Sequence, residues 1–473
     1  MQSELHLVLI AAAIAAAIIS IGYWRQAIVA AMILLVFEGA LRKWALPGAQ
    51  AALYLAKDLL FLGAYLGFAM AKGFAVPVAR ARPYVLILGI SVAYGTIEML
   101  NPALPSVTLA AVGWRAYYLY IPLLLIVPHL FATQEDLYRA LHRYALIALP
   151  VAALGILQFY SPLDSALNME VDYGLGGALS VQAFGDDNRV RAASSFSFVS
   201  GFGAYLTAVS LLVGALLAGR GWRVRGNLWL YGGLILIVTA MFSTGSRGPV
   251  YSLIGSVAAY TIVAAMIGDL SPAAAVRACI GAAILAALVW NFLPEPAEAF
   301  RQRAMGTDDA LERMVSPLIQ PFEILGEAGL AGFGIGAAHQ SATFLVGSDY
   351  SWWTNGMLAE AESSKVMLEL GILGFFFLYL FRISIALAAL RAAFALKSRE
   401  GRSLALVLSL FLGIQIFGAV IFNPTMNVLY WFAVGMIFAL YRYDAREFSS
   451  PQQTPVFPGL PGPKHTGRRI RNA

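Results

Sequence analysis

Long apolar runs recur along the whole chain and constrain its fold more than any other feature. Stretches of roughly 20 mostly apolar residues, the length that crosses a bilayer as a helix, occur about thirteen times. They lie near 5–22, 26–41, 51–71, 83–100, 113–131, 143–160, 197–218, 227–243, 248–268, 273–293, 363–388, 403–422 and 426–441. Backbone groups in lipid must form hydrogen bonds within their own segment, so these runs predict helices rather than strands. We expect an all-α fold, a polytopic transmembrane helical bundle of about 12 to 13 spans with a large external loop between late spans.

The composition agrees with a membrane protein. Of the 473 residues, 60% are hydrophobic and 12% are charged, whereas about 25% of a soluble domain is charged. This balance excludes a soluble enzyme and a disordered chain. The net charge of +6 does not indicate nucleic-acid binding, because the basic residues lie in small groups between the apolar runs, where they set orientation in the bilayer. The single cysteine, Cys279, excludes a disulfide framework within the chain.

The basic links between the runs predict the orientation of the chain, since short cytoplasmic loops accumulate Lys and Arg. If the thirteen spans alternate, the links around Arg80, Arg139, Arg223 and Arg399 all fall on one side, which we assign to the cytoplasm. The chain then divides into N-terminal transmembrane helices (1–160), an external loop (161–196), transmembrane helices with a Ser-Arg-Gly turn (197–293), a large external loop (294–362), C-terminal transmembrane helices (363–441) and a basic, disordered cytoplasmic tail (442–473).

The strongest local signal is the sequence Phe-Ser-Thr-Gly-Ser-Arg-Gly at 242–248, between two apolar runs at the predicted outer surface. An arginine at the membrane is energetically costly and is usually functional or paired with an anion. The rigid fork of donors on Arg247 suits phosphate oxygens, and Ser246 adds a hydroxyl group. The alternative is a tight turn whose Arg247 side chain extends to the lipid headgroups.

A second basic pair, Arg189 and Arg191, comes before a run of small residues and the next span. If this pair folds over the turn at Arg247, two or three guanidinium groups converge on one external site that fits a diphosphate. The alternative is a solvated loop in which Arg189 pairs with Asp186 or Asp187.

Arg42 and Lys43 also fall on the predicted outer side, against the charge bias and beside Trp44. Two cations at this position would help to hold an anionic headgroup. The alternative is a local pair of Glu38 with Arg42 at i, i+4 spacing, with Trp44 as an interfacial anchor.

The late external loop carries candidates for a general base or for positioning an acceptor hydroxyl. His339 follows a glycine-rich stretch at 332–336, and Glu360 and Glu362 stand at the start of the next span. A hydroxyl nucleophile needs a base within hydrogen-bond reach, and a histidine or a carboxylate of raised pKa serves that role. The alternatives are a hydrogen bond within the loop for His339 and an intrahelical pair between Glu362 and Lys365.

An acidic cluster at Asp308, Asp309 and Glu312 resembles a metal site only crudely. No glycine-punctuated calcium loop surrounds it, and the arginines nearby favour surface salt bridges. We therefore expect a solvated face there, and no metal.

In their order along the chain, these motifs resemble the O-antigen ligase and O-antigen polymerase superfamily of bacterial polytopic membrane proteins. The similarity rests on Arg191, the Ser-Arg-Gly turn at 246–248, the glycine-rich stretch at 332–336 and the helix start at 360–374. Together these motifs cover the chain from Arg189 to Gly374.

One motif departs from the pattern of the ligases in that superfamily. Those ligases typically carry His followed by Asn, Ser or Gln, about nine residues before a Gly-x-x-Gly motif. Here Gly371 and Gly374 fit, but Glu360 and Ala361 hold the earlier positions. This favours a polymerase, or a divergent exopolysaccharide or O-antigen enzyme, over a standard ligase acting on lipid A core.

The resemblance implies a metal-independent glycosyltransferase of the bacterial inner membrane, with an active site and a large loop facing the periplasm. Its substrate would be a polyprenyl-diphosphate-linked glycan, carried on undecaprenyl diphosphate and already activated, so that no cofactor is needed. The acceptor would be another glycan, lipid A core or another molecule, and the other partner membrane lipid, not nucleic acid. The implied catalytic residues are Arg247, Glu360, Glu362 and His339, and the implied substrate-binding residues are Arg191, Arg189, Ser246, Arg42 and Lys43.

The main alternative is a transporter, either a flippase for lipid-linked oligosaccharide or a polysaccharide exporter, with the same external arginines as a gate. A transporter places charged residues inside several spans. Here such charges are few, since Glu98 lies near a helix end and Lys57 with Asp58 form a pair. The sequence therefore favours the enzyme.

Overall fold

The described part of the chain is almost entirely helical. A computed structural model describes residues 2–46, 50–73, 79–169, 183–184, 189–223, 226–271, 294–305, 310–347 and 361–449, with isolated positions between 273 and 291. The helices are α1 (Gln2–Gly22), α2 (Trp24–Ala40), α3 (Gln50–Lys72), α4 (Arg82–Ile97), α5 (Val107–Tyr118), α6 (Leu123–Leu130), α7 (Gln134–Tyr160), α8 (Val199–Gly219), α9 (Leu228–Ser243), α10 (Arg247–Met266), α11 (Pro294–Met305), α12 (Ala310–Glu323), α13 (Leu325–Ala328), α14 (Ala342–Val346), α15 (Glu362–Ala395), α16 (Arg399–Ile414) and α17 (Pro424–Ser449).

Short irregular elements connect these helices. A π-helical turn, Leu41–Ala45, continues α2. Three-residue 3-10 turns lie at Ala79–Ala81, Glu98–Leu100 and Ala166–Asn168. The strands β1 (Ala183–Phe184) and β2 (Arg189–Val190) form an antiparallel pair in the loop before α8.

The helices have the lengths and composition of a multi-pass membrane protein. Within the described residues, nine helical stretches are long and apolar enough to cross a bilayer, and Ala11–Gly22 and Leu228–Ser243 are shorter apolar helices. The expected all-α helical bundle is therefore confirmed, with nine membrane-length stretches among the described residues against the 12 to 13 spans expected for the whole chain. Most of the span predicted at 273–293, the tail beyond 449 and parts of the two predicted external loops lie outside the described residues.

The centre of the bundle is occupied by α8 and α17. Their apolar windows are 83% and 89% buried, whereas those of α4 and α10 are 22% and 17% buried. Helices that expose apolar faces in a membrane protein face lipid, because lipid tails are as apolar as the side chains. The loops at the two ends of α8 therefore lie at the middle of each face of the bundle.

The links that the charge pattern assigns to one side meet at one end of the bundle. Tyr138 in the first turns of α7 donates a hydrogen bond to the carbonyl of Glu400 in α16. Arg402 of α16 donates to Asp269, which follows α10 (Nε to Oδ2, 2.8 Å). We call this end, marked by Tyr138, Asp269 and Glu400, the basic end. The opposite end, marked by the start of α8 at Val199, we call the site end.

The apolar run predicted at 113–131 is divided in two. Residues 119–122 form tight turns between α5 and α6, in which Leu123 N donates to Tyr120 O at 3.1 Å. Pro122 has no N–H to donate within a continuous helix, and its ring favours a helix start. Arg115, near the end of α5, donates to Asp58 of α3.

A second break lies inside α15. Gly371 has φ 60° and ψ −167° in the middle of this helix, a conformation accessible in practice to glycine alone. The segment Gly329–Gly334 runs beside the break and supplies the missing partners: Phe333 N donates to Leu368 O at 2.8 Å, and Ile372 N donates to Gly329 O at 3.1 Å. The break is therefore part of the fold. The backbone groups that it frees have hydrogen-bond partners within the protein, as a membrane protein requires.

Candidate functional site

The two basic motifs that the sequence separates meet at the site end. The guanidinium of Arg191 donates from Nε to Thr244 O at 3.1 Å and from Nη2 to Ser246 Oγ at 3.0 Å. One residue later, Ala192 N donates to Ser243 O at 3.1 Å. The chain around Arg191 therefore lies directly on the turn that joins α9 to α10.

The turn has a defined local cause. Gly245 has φ 60°, which allows the chain to reverse after α9. Ser246 N then donates to Thr244 Oγ1 at 3.0 Å, and α10 begins at Arg247. The half-buried Arg247 thus stands in the first turn of α10, directly after Ser246, to which Arg191 donates.

The Ala- and Ser-rich segment 192–197, hereafter the small-residue segment, allows close approach of several helices. Ser195 Oγ donates to Val36 O of α2 at 2.7 Å, and Ser194 N donates to Gln158 Oε1 of α7 at 2.6 Å. A Cβ atom at Gly39 would overlap the backbone of this segment. The glycine and the serines therefore fix α2 and α7 against the segment that carries Arg191.

Arg42 and Lys43, both predicted to bind substrate, contact the same segment. Arg42 donates from Nη1 to Ser197 Oγ at 3.1 Å, and Lys43 donates to Ser194 O. Arg42 also lies 3.4 Å from the Glu38 carboxylate, so the i, i+4 pair that the sequence offers as the alternative is present together with the contact to Ser197. Both basic side chains are 2% exposed, and the predicted group of cations is thus assembled around one piece of chain.

A network of buried charges continues from Arg42 into α3 and α5. Lys57 lies 2.6 Å from Glu38, and Arg115 donates from Nε to Asp58 Oδ2 at 2.7 Å. Tyr120 adds a hydrogen bond to the other oxygen of Asp58 at 2.6 Å. Among the described residues of this corner, four basic groups face two carboxylates; the basic ones are Arg42, Lys43, Lys57 and Arg115. The corner therefore carries excess positive charge.

Asp58 pairs with Arg115 and Lys57 pairs with Glu38, so the expected pair of Lys57 with Asp58 is wrong, and charges inside the spans are more numerous than expected. Sequence reasoning missed Arg115 because it lies inside an apolar run rather than in a link between runs. The signal was available, since an ionisable residue within a span is a functional candidate by default. Its side chain is 19% exposed.

Arg189 has a different environment from Arg191. Its guanidinium forms an ion pair with Glu295 of α11 at 2.6 Å and stands over the rings of Phe159 and Tyr160. The alternative partners proposed from the sequence, Asp186 and Asp187, lie outside the described residues. Arg189 therefore fastens the loop before α8 to α11 and α7.

His339 is buried beside the start of α15 rather than exposed in a loop. Its Nδ1 accepts a hydrogen bond from Ser341 N at 3.1 Å, and its ring lies against Phe422. Burial, together with the positive charges of Arg115 and Lys365, lowers the pKa of His339 to about 4. His339 is thus neutral at pH 7, with its proton on Nε2, where it is a hydrogen-bond donor.

Glu362 occupies a structural position. It pairs with Arg382 at 2.7 Å, and both side chains are 2% exposed. Its second oxygen accepts from Ile421 N at 2.6 Å and Phe422 N at 3.1 Å, while Arg382 donates to Ile416 O at 3.0 Å. The pair thereby provides hydrogen-bond partners for the irregular backbone between α16 and α17. Irregular backbone at membrane depth requires such partners from the protein. The sequence alternative, a pair of Glu362 with Lys365, is not the contact observed.

Glu360 lies outside the described residues, and a different carboxylate, Glu369, lies beside the segment that carries His339. Glu369, fully buried two residues before the break at Gly371, accepts a hydrogen bond from Ala338 N at 2.8 Å. It thereby holds the residue before His339 in place. Its position in an apolar helix was the signal that could have identified it.

The described residues contain no group of three or more His, Cys, Asp or Glu placed to hold a metal ion. Asp308 and Asp309 lie outside that part of the chain. The site end instead gathers basic and hydroxyl groups, of which Arg191, Ser246 and Arg247 are half-buried whereas Arg42 and Lys43 are buried. Such groups suit an anion with several oxygens.

Comparison of the chain with protein-family models, with curated proteins and with solved structures finds no match. The function must therefore be argued from the geometry of the site itself.

Proposed function

We propose that this protein is a glycosyltransferase of the bacterial inner membrane that polymerises or transfers a glycan carried on undecaprenyl diphosphate, with its active site facing the periplasm. The lipid diphosphate is the leaving group, and the product is an O-antigen or exopolysaccharide chain. The orientation is supported by the basic links, which meet at the end opposite the candidate site and accumulate on the cytoplasmic side in membrane proteins.

One observation carries the proposal: Arg191 binds the turn that presents Arg247, through Thr244 O and Ser246 Oγ. Two short basic motifs, more than 50 residues apart, thus form one cluster. Guanidinium groups bind diphosphate oxygens with paired hydrogen bonds, and a membrane protein rarely gathers them without an anionic ligand.

The chemistry is a displacement at the anomeric carbon. An acceptor hydroxyl oxygen forms the new bond to that carbon, and the bond from the carbon to the diphosphate oxygen breaks with its electron pair on the diphosphate. The hydroxyl proton passes to a base. Because negative charge grows on the diphosphate as the bond breaks, fixed cations beside it lower the barrier.

The position of each residue indicates its role in this displacement reaction. We assign the diphosphate to Arg247 and Arg191, with Arg42 and Lys43 adding positive charge from the other side of the small-residue segment. Neutral His339, with its Nε2 proton, orients the acceptor or the leaving group by donating a hydrogen bond. Proton acceptance falls to a carboxylate, for which Glu360 remains the candidate from the sequence.

Reconstitution tests the proposal directly. Purified protein in liposomes is given a lipid-linked glycan repeat with no nucleotide and no ion gradient, and chain length is followed on gels. Longer chains and released undecaprenyl diphosphate are expected, because the substrate is already activated. Movement of unchanged lipid-linked glycan between leaflets, without elongation or transfer, would instead identify the flippase of the alternative hypothesis.

A further inference from the structure

A basic cleft lies at the basic end, far from the candidate active site. It occupies about 670 Å³ between the α8–α9 link and the start of α16, a volume in the range of small-molecule sites. Helix α8 runs for 21 residues from the site end to the cleft, about 30 Å at 1.5 Å per residue. The lining residues are Gly219, Arg220, Gly221, Arg223, Gly226, Asn227 and Arg399.

The cleft is positively charged because its lining contains three arginines and no carboxylate. Arg220 donates to the Asn227 side-chain oxygen at 2.6 Å, an uncharged partner. The exposed guanidinium of Arg223 has no hydrogen-bond or ion-pair partner in the part of the chain that is described, and Arg399 reaches only the carbonyl of Asp269 at 3.5 Å.

Two carboxylates lie near the cleft, and neither forms an ion pair with its arginines in the described part of the chain. The Glu400 side chain lies along Gly219, where a Cβ atom would be 3.2 Å from its Cγ. Asp269 directs its side chain to Arg402, which donates to both of its oxygens. The charge of Arg399 is therefore left for another anion. In a cleft with protein walls, such unneutralised charges concentrate counter-ions.

Three residues of the α8–α9 link beside the cleft have positive φ angles. Gly221 and Gly226 have φ angles of 70° and 83°, and Trp222 between them has φ 58°. A left-handed conformation is a steric outlier for a bulky residue and marks strain that surrounding contacts must hold. Here the Trp222 carbonyl accepts from Tyr231 at 3.0 Å, and its ring packs on Tyr260. The strained turn brings Arg399 over Gly221, where a Cβ atom would lie 3.3 Å from its guanidinium.

Apolar surface adjoins the charged cleft on its membrane side. Leu228, directly after Asn227, is 69% exposed, and Ile262 and Met266 near the end of α10 are 62% and 72% exposed. These side chains belong to helices that face lipid. A ligand with a phosphate group and acyl chains would place its phosphate against the arginines and its acyl chains against the exposed apolar side chains.

We propose that the cleft formed by Arg220, Arg223 and Arg399 binds the phosphate headgroup of an anionic glycerophospholipid, with its acyl chains along α9 and α10. Arg223 and Arg399 supply the charges that contact phosphate, and Arg220 with Asn227 holds the link in shape. The lipid occupies the leaflet opposite the candidate active site, so its binding is independent of the proposed glycosyl transfer.

Native mass spectrometry of the full chain in detergent tests this site, with cardiolipin and phosphatidylglycerol as anionic probes and phosphatidylcholine as the neutral one. We expect anionic lipid to remain bound to the wild type. In Arg223→Gln/Arg399→Gln we expect about 30-fold weaker binding, the product of two lost phosphate contacts. Arg80→Gln/Arg82→Gln removes two charges from the same end, outside the cleft, and should retain lipid.

Equal lipid retention in the two double variants would overturn the proposal. The single variant Arg223→Gln, which changes an exposed side chain, provides the same comparison if the double variant does not fold. A parallel arm titrates the wild type with inorganic phosphate and with glycerol 3-phosphate. Displacement of cardiolipin by either compound at low millimolar concentration would show that the cleft takes free phosphate and would overturn the lipid assignment.

Discussion

The guanidinium of Arg191 donates a 3.0 Å hydrogen bond to the hydroxyl of Ser246, 55 residues later in the chain. This contact joins the loop before α8 to the turn that leads into α10, where Arg247 is the first residue. In the proposed function, Arg191 both fixes this turn and contributes positive charge to the diphosphate site.

Arg247→Ala should reduce glycan elongation in the liposome assay by at least about 100-fold, the effect of removing one preorganised charge partner from a transition state. Arg247→Lys should recover little of this loss, because an ammonium offers a point charge rather than a fork. The matched control is Arg139→Ala, an exposed arginine at the basic end that pairs within its own helix. Full activity of Arg247→Ala at normal protein level would remove Arg247 from the chemistry.

The buried pair of Glu362 and Arg382 predicts a non-additive effect on stability. Arg382→Met leaves a buried carboxylate without its cation, which costs about 3–5 kcal/mol. Adding Glu362→Gln to this variant should restore part of the loss, since the uncompensated charge disappears. Thermal unfolding in detergent measures the cycle, and strictly additive losses would contradict the structural role assigned to the pair.

The break in α15 predicts that substitution of glycine by alanine is destabilising at Gly371 and tolerated at Gly255. Gly371→Ala forces a left-handed conformation on alanine and a clash with the Leu330 carbonyl, at a cost of about 2 kcal/mol or more. Gly255→Ala, in the middle of α10 with nothing within 4 Å of the new Cβ, should be neutral or slightly stabilising. Unfolding midpoints of the two variants test this contrast. A neutral Gly371→Ala would mean that the helix does not break there.

Acid sensitivity should arise in part from His339. Burial and neighbouring cations lower its folded pKa to about 4 from the ordinary 6.5, so the unfolded state binds more protons between these values. Stability therefore rises with pH from about 4 to about 6.5 and is independent of this group above that range. Unfolding midpoints from pH 7 to 4.5 should fall less for His339→Gln than for the wild type. Parallel curves for the two proteins would refute the assignment.

The sequence was sufficient for the all-α fold with helices of membrane length. Apolar runs of bilayer length identify helices from chemistry alone, and α2, α8 and α10 lie where those runs predict. The proximity of Arg191 to the turn at Arg247 was only a hypothesis from the sequence, because α8 and α9 lie between them. The contact between Arg191 and Ser246 shows that proximity.

Other features could not be obtained from hydropathy. A window that averages about 20 residues passes over the break at Gly371 and the division near Pro122, since both lie in apolar surroundings. Glu362 was predicted to be catalytic because it is a carboxylate at the point where a loop meets a helix. Its partner Arg382 lies about five helical turns later in α15, so the sequence does not show that the two charges pair. Only the folded backbone around Ile421 and Phe422 explains why both charges are buried.

The break at Gly371 also constrains the biogenesis of the protein. Ile372 and Leu373 donate to the carbonyls of Gly329 and Leu330, which precede α15 in the chain and are therefore synthesised first. Until that segment docks, the backbone donors at the break lack these partners, and leaving such groups in hydrocarbon is costly. Docking of the segment 329–334 must therefore accompany the placement of α15 in the bundle.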